Sequence, residues 1–165
     1  MHKTLSGASA PNPSRTTARH DKTNQTALAG FAAPARIMTL DGAVPVDCLR
    51  PGDRIVTRDT GMCRLVVVTS RIYRDVTAIN VSGSSLGHSR PEHGLTLGPG
   101  QQVLLRDWRA LALFGQHTAM VPVERLVDGE FISRRETPMR LRLFTLDLGG
   151  DHVIYVDGLE CSSKS

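Results

Sequence analysis

The sequence is poor in aromatic residues, cysteine and lysine, and it has no long apolar run. One Trp, two Tyr and four Phe are the only aromatics among 165 residues, so any group of them stands out. No stretch approaches the roughly 20 apolar residues of a membrane-spanning helix, and no membrane partner is expected. The N-terminus lacks the apolar stretch of a secretory signal. Its Ser, Thr and Arg content carries no amphipathic pattern that would make it an organellar address. The three cysteines are Cys48, Cys63 and Cys161. An odd number at wide spacing fits neither a disulfide framework nor a zinc pattern. No metal and no cofactor is expected, and a reducing, cytoplasmic location is the simplest expectation.

The formal net charge is +4. It is unevenly placed, because residues 1–30 hold Lys3, Arg15, Arg19 and Lys22 against the single acid Asp21. The basic character therefore belongs largely to the N-terminus and is a weak mark of nucleic acid. Residues 1–28 are polar and without periodicity, and read as a disordered basic tail. Residues 29–163 read as one β domain, with order beginning near Leu28–Phe31.

Short strands alternate with turn signals beyond that point. Arg36–Leu40 ends at Asp41-Gly42, and Arg54–Thr57 follows the turn Pro51-Gly52-Asp53. A β-branched run lies within Arg64–Arg74, and Val76–Ser82 is a further strand. Gly83–Gly94 reads as a loop and Val103–Arg106 as a strand. Arg109–Phe114 reads as one short helix closed by Gly115. Met139–Leu146, Val153–Val156 and Leu159–Cys161 complete the set, the last two joined by Asp157-Gly158, a pair suited to positive φ in a tight hairpin. The fold class is all-β.

A repeat runs through this layout. Val44-Pro45-Val46-Asp47-Cys48-Leu49-Arg50-Pro51-Gly52-Asp53-Arg54-Ile55 matches Val121-Pro122-Val123-Glu124-Arg125-Leu126-Val127-Asp128-Gly129-Glu130-Phe131-Ile132 at a constant offset of 77 residues. A constant register over twelve positions, with Gly at the same turn twice, implies an internal duplication and two pseudo-two-fold related β subdomains.

The stretch from Ala35 to Gly42, running into Val46 to Thr57, resembles the first block of the hedgehog/intein (Hint) family. There an apolar strand, an Asp-Gly turn and an L-x-x-G-D turn recur. Phe144–Asp147 with His152–Leu159 resembles the last block, where a histidine precedes a strand and an Asp/Asn-Gly turn. The resemblance covers residues 29–163 and lies nearest bacterial Hint-like proteins. It implies a self-processing β fold. In that chemistry a Cys or Ser at the first position attacks the preceding carbonyl, and a histidine in a T-x-x-H loop protonates the departing amide nitrogen.

Mapped residue by residue, the decisive groups are absent. The nucleophile position, seven residues before Ile37, holds Gly30, and no Cys, Ser or Thr lies between Ala27 and Met38. The T-x-x-H loop aligns with Gly98-Pro99-Gly100-Gln101, and Gln101 has no titration near neutrality. The terminal His-Asn pair aligns with Ser162-Ser163. Only His152 remains. Gly30, Gln101 and His152 are thus read as vestigial site positions with no catalytic residue expected. The implied role is a Hint-fold binding or interaction module without autocleavage, acting with an unidentified protein partner. The alternatives are an active self-cleaving domain, or a nucleic-acid-associated protein acting through its tail.

Among the other residues, His152 reads as a hydrogen-bonded histidine at a strand start. A Cys/His enzyme pairing Cys63 or Cys161 with His152 is the weaker reading, and Cys63, in a turn after Gly61-Met62, has no histidine nearby in sequence. Cys48 is expected half-buried and Cys161 exposed. His88, Glu92 and His93 share a loop without metal-ligand spacing. Trp108, Arg109 and Phe114 lie in an insertion within the second repeat. They read as part of a helix capping an open edge, or as a partner surface.

Overall fold

The computed structural model describes residues 27–164. The tail expected over 1–28 therefore falls, except for its last two residues, outside the described residues. Leu28 is buried, and its carbonyl accepts the Gly100 N–H at 2.8 Å.

Thirteen strands and one short helix make up the described chain. The strands are β1 (Arg36–Thr39), β2 (Gly42–Pro45), β3 (Arg54–Thr57), β4 (Gly61–Arg64), β5 (Val67–Val76), β6 (Ile79–Val81), β7 (Leu95–Leu97), β8 (Gln102–Leu105), β9 (Ala119–Pro122), β10 (Ile132–Arg134), β11 (Met139–Asp147), β12 (Val153–Val156) and β13 (Leu159–Ser162). The helix α1 spans Trp108–Phe114. The all-β reading with one short helix holds.

The period-two burial of β1, β3, β8 and β12 explains why these segments are strands. Ile37, Ile55, Val103, Ile154 and Val156 point into one core, each fully covered. An eight-stranded sheet runs in the order β2-β1-β3-β12-β13-β8-β9, with β4 on β3. The long strands β5 and β11 pair with each other, and β10-β6-β7 form a small sheet. Phe31 bridges from Leu97 to Phe144 and so links the small sheet to β11.

Three differences from the sequence reading have local causes. The run from Arg64 divides at Leu65, whose N–H donates to Asp53 O at 2.8 Å, so β4 and β5 are separate. β7 alternates over only three residues, too short a run to mark a strand after the 83–94 loop. Cys161 is buried rather than exposed, because β13 is an interior strand flanked by β12 and β8.

Glu160 supplies the main charged contact of the core. Its carboxylate is 5% exposed and meets Arg106 Nε at 2.7 Å, Arg58 Nε at 3.1 Å and Arg90 Nη1 at 3.7 Å. A buried carboxylate persists only when paired. These pairs tie β13 to the end of β3, the end of β8 and the 83–94 loop.

The two sequence repeats follow the same local path. Each begins as the second strand of a hairpin (β2 on β1, β9 on β8), enters a 3₁₀ turn, and passes a glycine with positive φ before the next strand. The Val46 N–H donates to Ala35 O at 2.8 Å, and the Val123 N–H donates to Gln101 O at 2.9 Å. Ala35 and Gln101 each stand immediately before the first strand of their hairpin. Gly52 has φ +96° and Gly129 φ +82°, with open space where a Cβ would go. Ala at either site therefore meets backbone strain without a clash. Gly52→Ala and Gly129→Ala should each destabilise by about 1–2 kcal/mol, and by similar amounts, in denaturant melts. A large cost at one turn and none at the other would contradict their equivalence.

Candidate functional site

The segment around Gly30 is pinned on both sides. Phe31 exchanges both backbone hydrogen bonds with Phe144, each at 2.9 Å, and the Ala32 N–H donates to Thr96 O at 3.0 Å. The Gly30 carbonyl accepts the Gly98 N–H at 3.0 Å. Gly30 adopts φ +132°, and a Cβ there would stand 2.8 Å from Phe144 O and 3.1 Å from Leu143 Cβ. The position therefore has no room for a side chain. The same holds for Gly98, where a Cβ would lie 2.4 Å from Leu28 O.

Gln101 lies against this segment at 1% exposure. Its Oε1 accepts the Gly30 N–H at 2.9 Å. Its Nε2 donates to Ser162 O at 2.9 Å and Gln102 O at 3.2 Å. Both carbonyls require the amino end of the carboxamide and the Gly30 N–H requires the oxygen end, so the three contacts fix one orientation. The nitrogen of the Ala29–Gly30 peptide thus faces an acceptor. Nothing in this arrangement can pass it a proton.

His152 does not join that cluster. Its backbone pairs with Ser163, donating to Ser163 Oγ at 3.1 Å and accepting the Ser163 N–H at 2.8 Å. Its ring is held instead by the β3–β4 hairpin. His152 Nδ1 lies 2.6 Å from Asp59 Oδ2, and His152 Nε2 lies 3.4 Å from Cys63 Sγ. Asp59 Oδ1 accepts the Val153 N–H at 3.0 Å. Partial desolvation pushes the Asp59 carboxyl up. The hydrogen bonds from His152 and Val153 outweigh it and hold the group below its ordinary value of 3.8. Thr60 Oγ1 is 3.2 Å from Cys63 Sγ and 2.8 Å from Thr57 Oγ1.

This grouping joins residues 89 and 93 positions apart. The Arg58 N–H donates to Val153 O at 2.8 Å and Thr57 pairs with Ile154, which sets the hairpin tip against the start of β12. Asp59 was not legible as a site residue, since it reads as an ordinary turn aspartate. Only the β3–β12 pairing reveals it.

The remaining candidates separate. Cys48 is exposed rather than half-buried, because the 3₁₀ turn that carries it buries Val46 instead. Burial pushes the Cys161 thiol up, and the Glu160 carboxylate adds to the shift. His93 Nδ1 lies 3.5 Å from Asp157 Oδ1. Among the described residues no group of His, Cys, Asp and Glu is arranged to hold a metal ion.

On α1, Asp107 caps the N-terminus through the Arg109 N–H at 2.9 Å, and Gly115 closes the C-terminus at φ +68°. Trp108 is 72% exposed. Arg109 instead reaches back to Ser85 O at 3.2 Å, and Phe114 is part-buried against the core. No helix among the described residues is long and apolar enough to cross a membrane.

A family model described as the Hint domain matches residues 29–164. Among solved structures, the gp41-1 intein aligns with a TM-score of 0.54 at 10% identity, covering 81% of this chain and 98% of that one. A variant of the MchDnaB-1 intein aligns with a TM-score of 0.51 at 11% identity, covering 82% and 99%. At such identities the likeness is one of fold. No curated protein matches the chain.

The Asp59–His152 contact makes a pH-dependent prediction. Because the folded carboxyl titrates below 3.8, its stabilisation is complete above that value and is lost as pH falls through the folded value. Asp59→Asn should destabilise the fold at pH 7, by no more than about 1 kcal/mol given the exposure of Asp59, and so lower the melting temperature. The deficit should close as pH is taken well below 3.8. A deficit that stays constant down to acid unfolding would contradict the assignment.

Proposed function

The chain belongs to the Hint domain family, and from that premise we propose that it is a non-cleaving member, a Hint scaffold that works as an interaction module rather than by cutting itself. The observation that carries this reading is the closed junction at Gly30. An amide-to-ester shift there needs a side-chain oxygen or sulfur beside the Ala29 carbonyl, and position 30 has neither the atom nor the space for it. It also needs a proton for the departing nitrogen, and that nitrogen faces Gln101 Oε1. The acid–base contribution alone is ordinarily about 10²–10⁴ in rate. The face available to a partner is α1, where Trp108, Leu111 and Leu113 are all more than half exposed.

The purified chain should stay intact with added dithiothreitol or hydroxylamine, by intact mass. A break between Ala29 and Gly30 would refute the reading. Restoring the family residues should not help. Gly30→Cys with Gln101→His should melt lower and remain uncleaved, since a Cβ at position 30 meets Phe144 O. Thiol-induced cleavage of that double variant would contradict the closed junction.

A further inference from the structure

Beyond the closed junction, Asp59, His152 and Cys63 stand in a line, and we propose that Cys63 is a thiol nucleophile that takes acyl groups from activated esters or thioesters, with His152 as its base and Asp59 as the residue that positions it. The reading does not depend on whether the chain cleaves itself, since none of the three residues touches Gly30 or Gln101 in the contacts described above.

The geometry is that of a nucleophile, a base and an orienting acid. Asp59 Oδ2 lies 2.6 Å from one ring nitrogen of His152, and Cys63 Sγ lies 3.4 Å from the other. Partners on opposite nitrogens cannot share one metal ion, but they do form a relay. A carboxylate on Nδ1 keeps the proton there and leaves the Nε2 lone pair facing the thiol. Asp59 is fixed in turn by the Val153 N–H. A histidine kept only for structure needs one partner to hold its ring, whereas here the second nitrogen faces the one half-buried thiol of the chain.

The surroundings suit the chemistry. The relay sits on a strand hairpin and a strand start rather than on a long loop, which favours fixed geometry. The Thr60 hydroxyl, backed by Thr57, lies 3.2 Å from Sγ and can donate to the thiolate as it forms. Gly150 packs beside the reactive nitrogen without a side chain to crowd it, since a Cβ there would stand 3.3 Å from His152 Nε2. An open groove of about 500 Å³ is lined by Asp59 and His152, with Met120 and Lys164 farther along it, and Cys63 stands behind the histidine rather than in its wall.

In the reaction, the Cys63 thiol proton passes to His152 Nε2 as the Sγ–carbonyl carbon bond forms. Collapse of the tetrahedral adduct breaks the bond to the leaving thiol or alcohol, which takes the proton back from Nε2. The products are S-acyl Cys63 and the free thiol or alcohol, with no change in oxidation state. Water attacking with His152 as base then releases the carboxylic acid and restores the thiol. Activated esters and thioesters are the class assigned because their leaving groups depart without the strong protonation an amide nitrogen needs.

The test uses the full chain with p-nitrophenyl acetate, following nitrophenol release and mapping acetyl groups by mass spectrometry. The other two thiols are internal controls: Cys48 is exposed, and Cys161 is buried. The proposal expects acetylation of Cys63 at least about tenfold faster than of Cys48, with Cys161 unmodified while the fold is intact. His152→Gln should bring Cys63 down to the Cys48 rate or below. Asp59→Asn should slow Cys63 by about tenfold or more, and Asp59→Glu should restore part of the rate. Mere loosening of the hairpin would expose Cys63 and raise its acetylation, so these losses separate a positioning role from a structural one. Cys63 reacting no faster than Cys48, or unaffected by His152→Gln with Cys161 still protected, would overturn the proposal.

Discussion

A side-chain carboxamide offers two donors and two acceptor sites, and Gln101 spends them on main chain from three parts of the domain. Its oxygen holds the N–H of Gly30, and its nitrogen holds the carbonyls of Gln102 and Ser162. The entering segment, the start of β8 and the end of β13 are thereby joined at one buried point. Each buried backbone group left without a partner would cost about 1–3 kcal/mol. The same contact explains the glycine beside it. With the N–H drawn towards Gln101 and the carbonyl bound by Gly98, residue 30 takes a positive φ and packs its α-carbon against Phe144. On the reading proposed above, the same contact that closes the junction also withholds a proton from its nitrogen.

A second tie lies on the far side of β13. Glu160 gathers Arg58, Arg90 and Arg106 around a buried carboxylate. Arg58 also donates its backbone N–H to Val153, so the ion cluster fixes the β3–β4 hairpin against β12. That placement brings Asp59 and Cys63 to His152. His152 also pairs its backbone with Ser163, the residue after the Ser162 that Gln101 holds, so the relay and the Gly30 junction meet at the end of β13.

Much of the scaffold was legible in the sequence. Asp157-Gly158 reads as a tight hairpin turn, and both residues take positive φ, 46° and 81°. The matched 3₁₀ turns and glycines follow from the twelve-position repeat. The pairing of Gln101 with Gly30 could be anticipated only as two substitutions at aligned positions. That the two residues meet through a hydrogen bond follows from the fold alone. His152 stood out as the histidine before a strand, but its pairing with Cys63 read as the weaker choice and Asp59 left no local signal, because the register of β3 on β12 alone decides which turn residues meet the histidine. The burial of Cys161 was hidden for a similar reason. A strand four residues long near the C-terminus looks like an edge until its neighbour β8, some 60 positions earlier, is placed beside it.

The central claim is that the Ala29–Gly30 peptide is locked and buried rather than presented for reaction. Amide hydrogen exchange at Gly30 tests it most directly. The Gly30 N–H, bound by a side chain that is itself 1% exposed, should exchange only through global unfolding, at the same protection as Phe31 and Phe144. In Gln101→Ala its exchange should accelerate while β12 and β13 stay protected. Exchange at Gly30 as fast as in an open loop, with Phe31 still protected in the unaltered chain, would contradict the account.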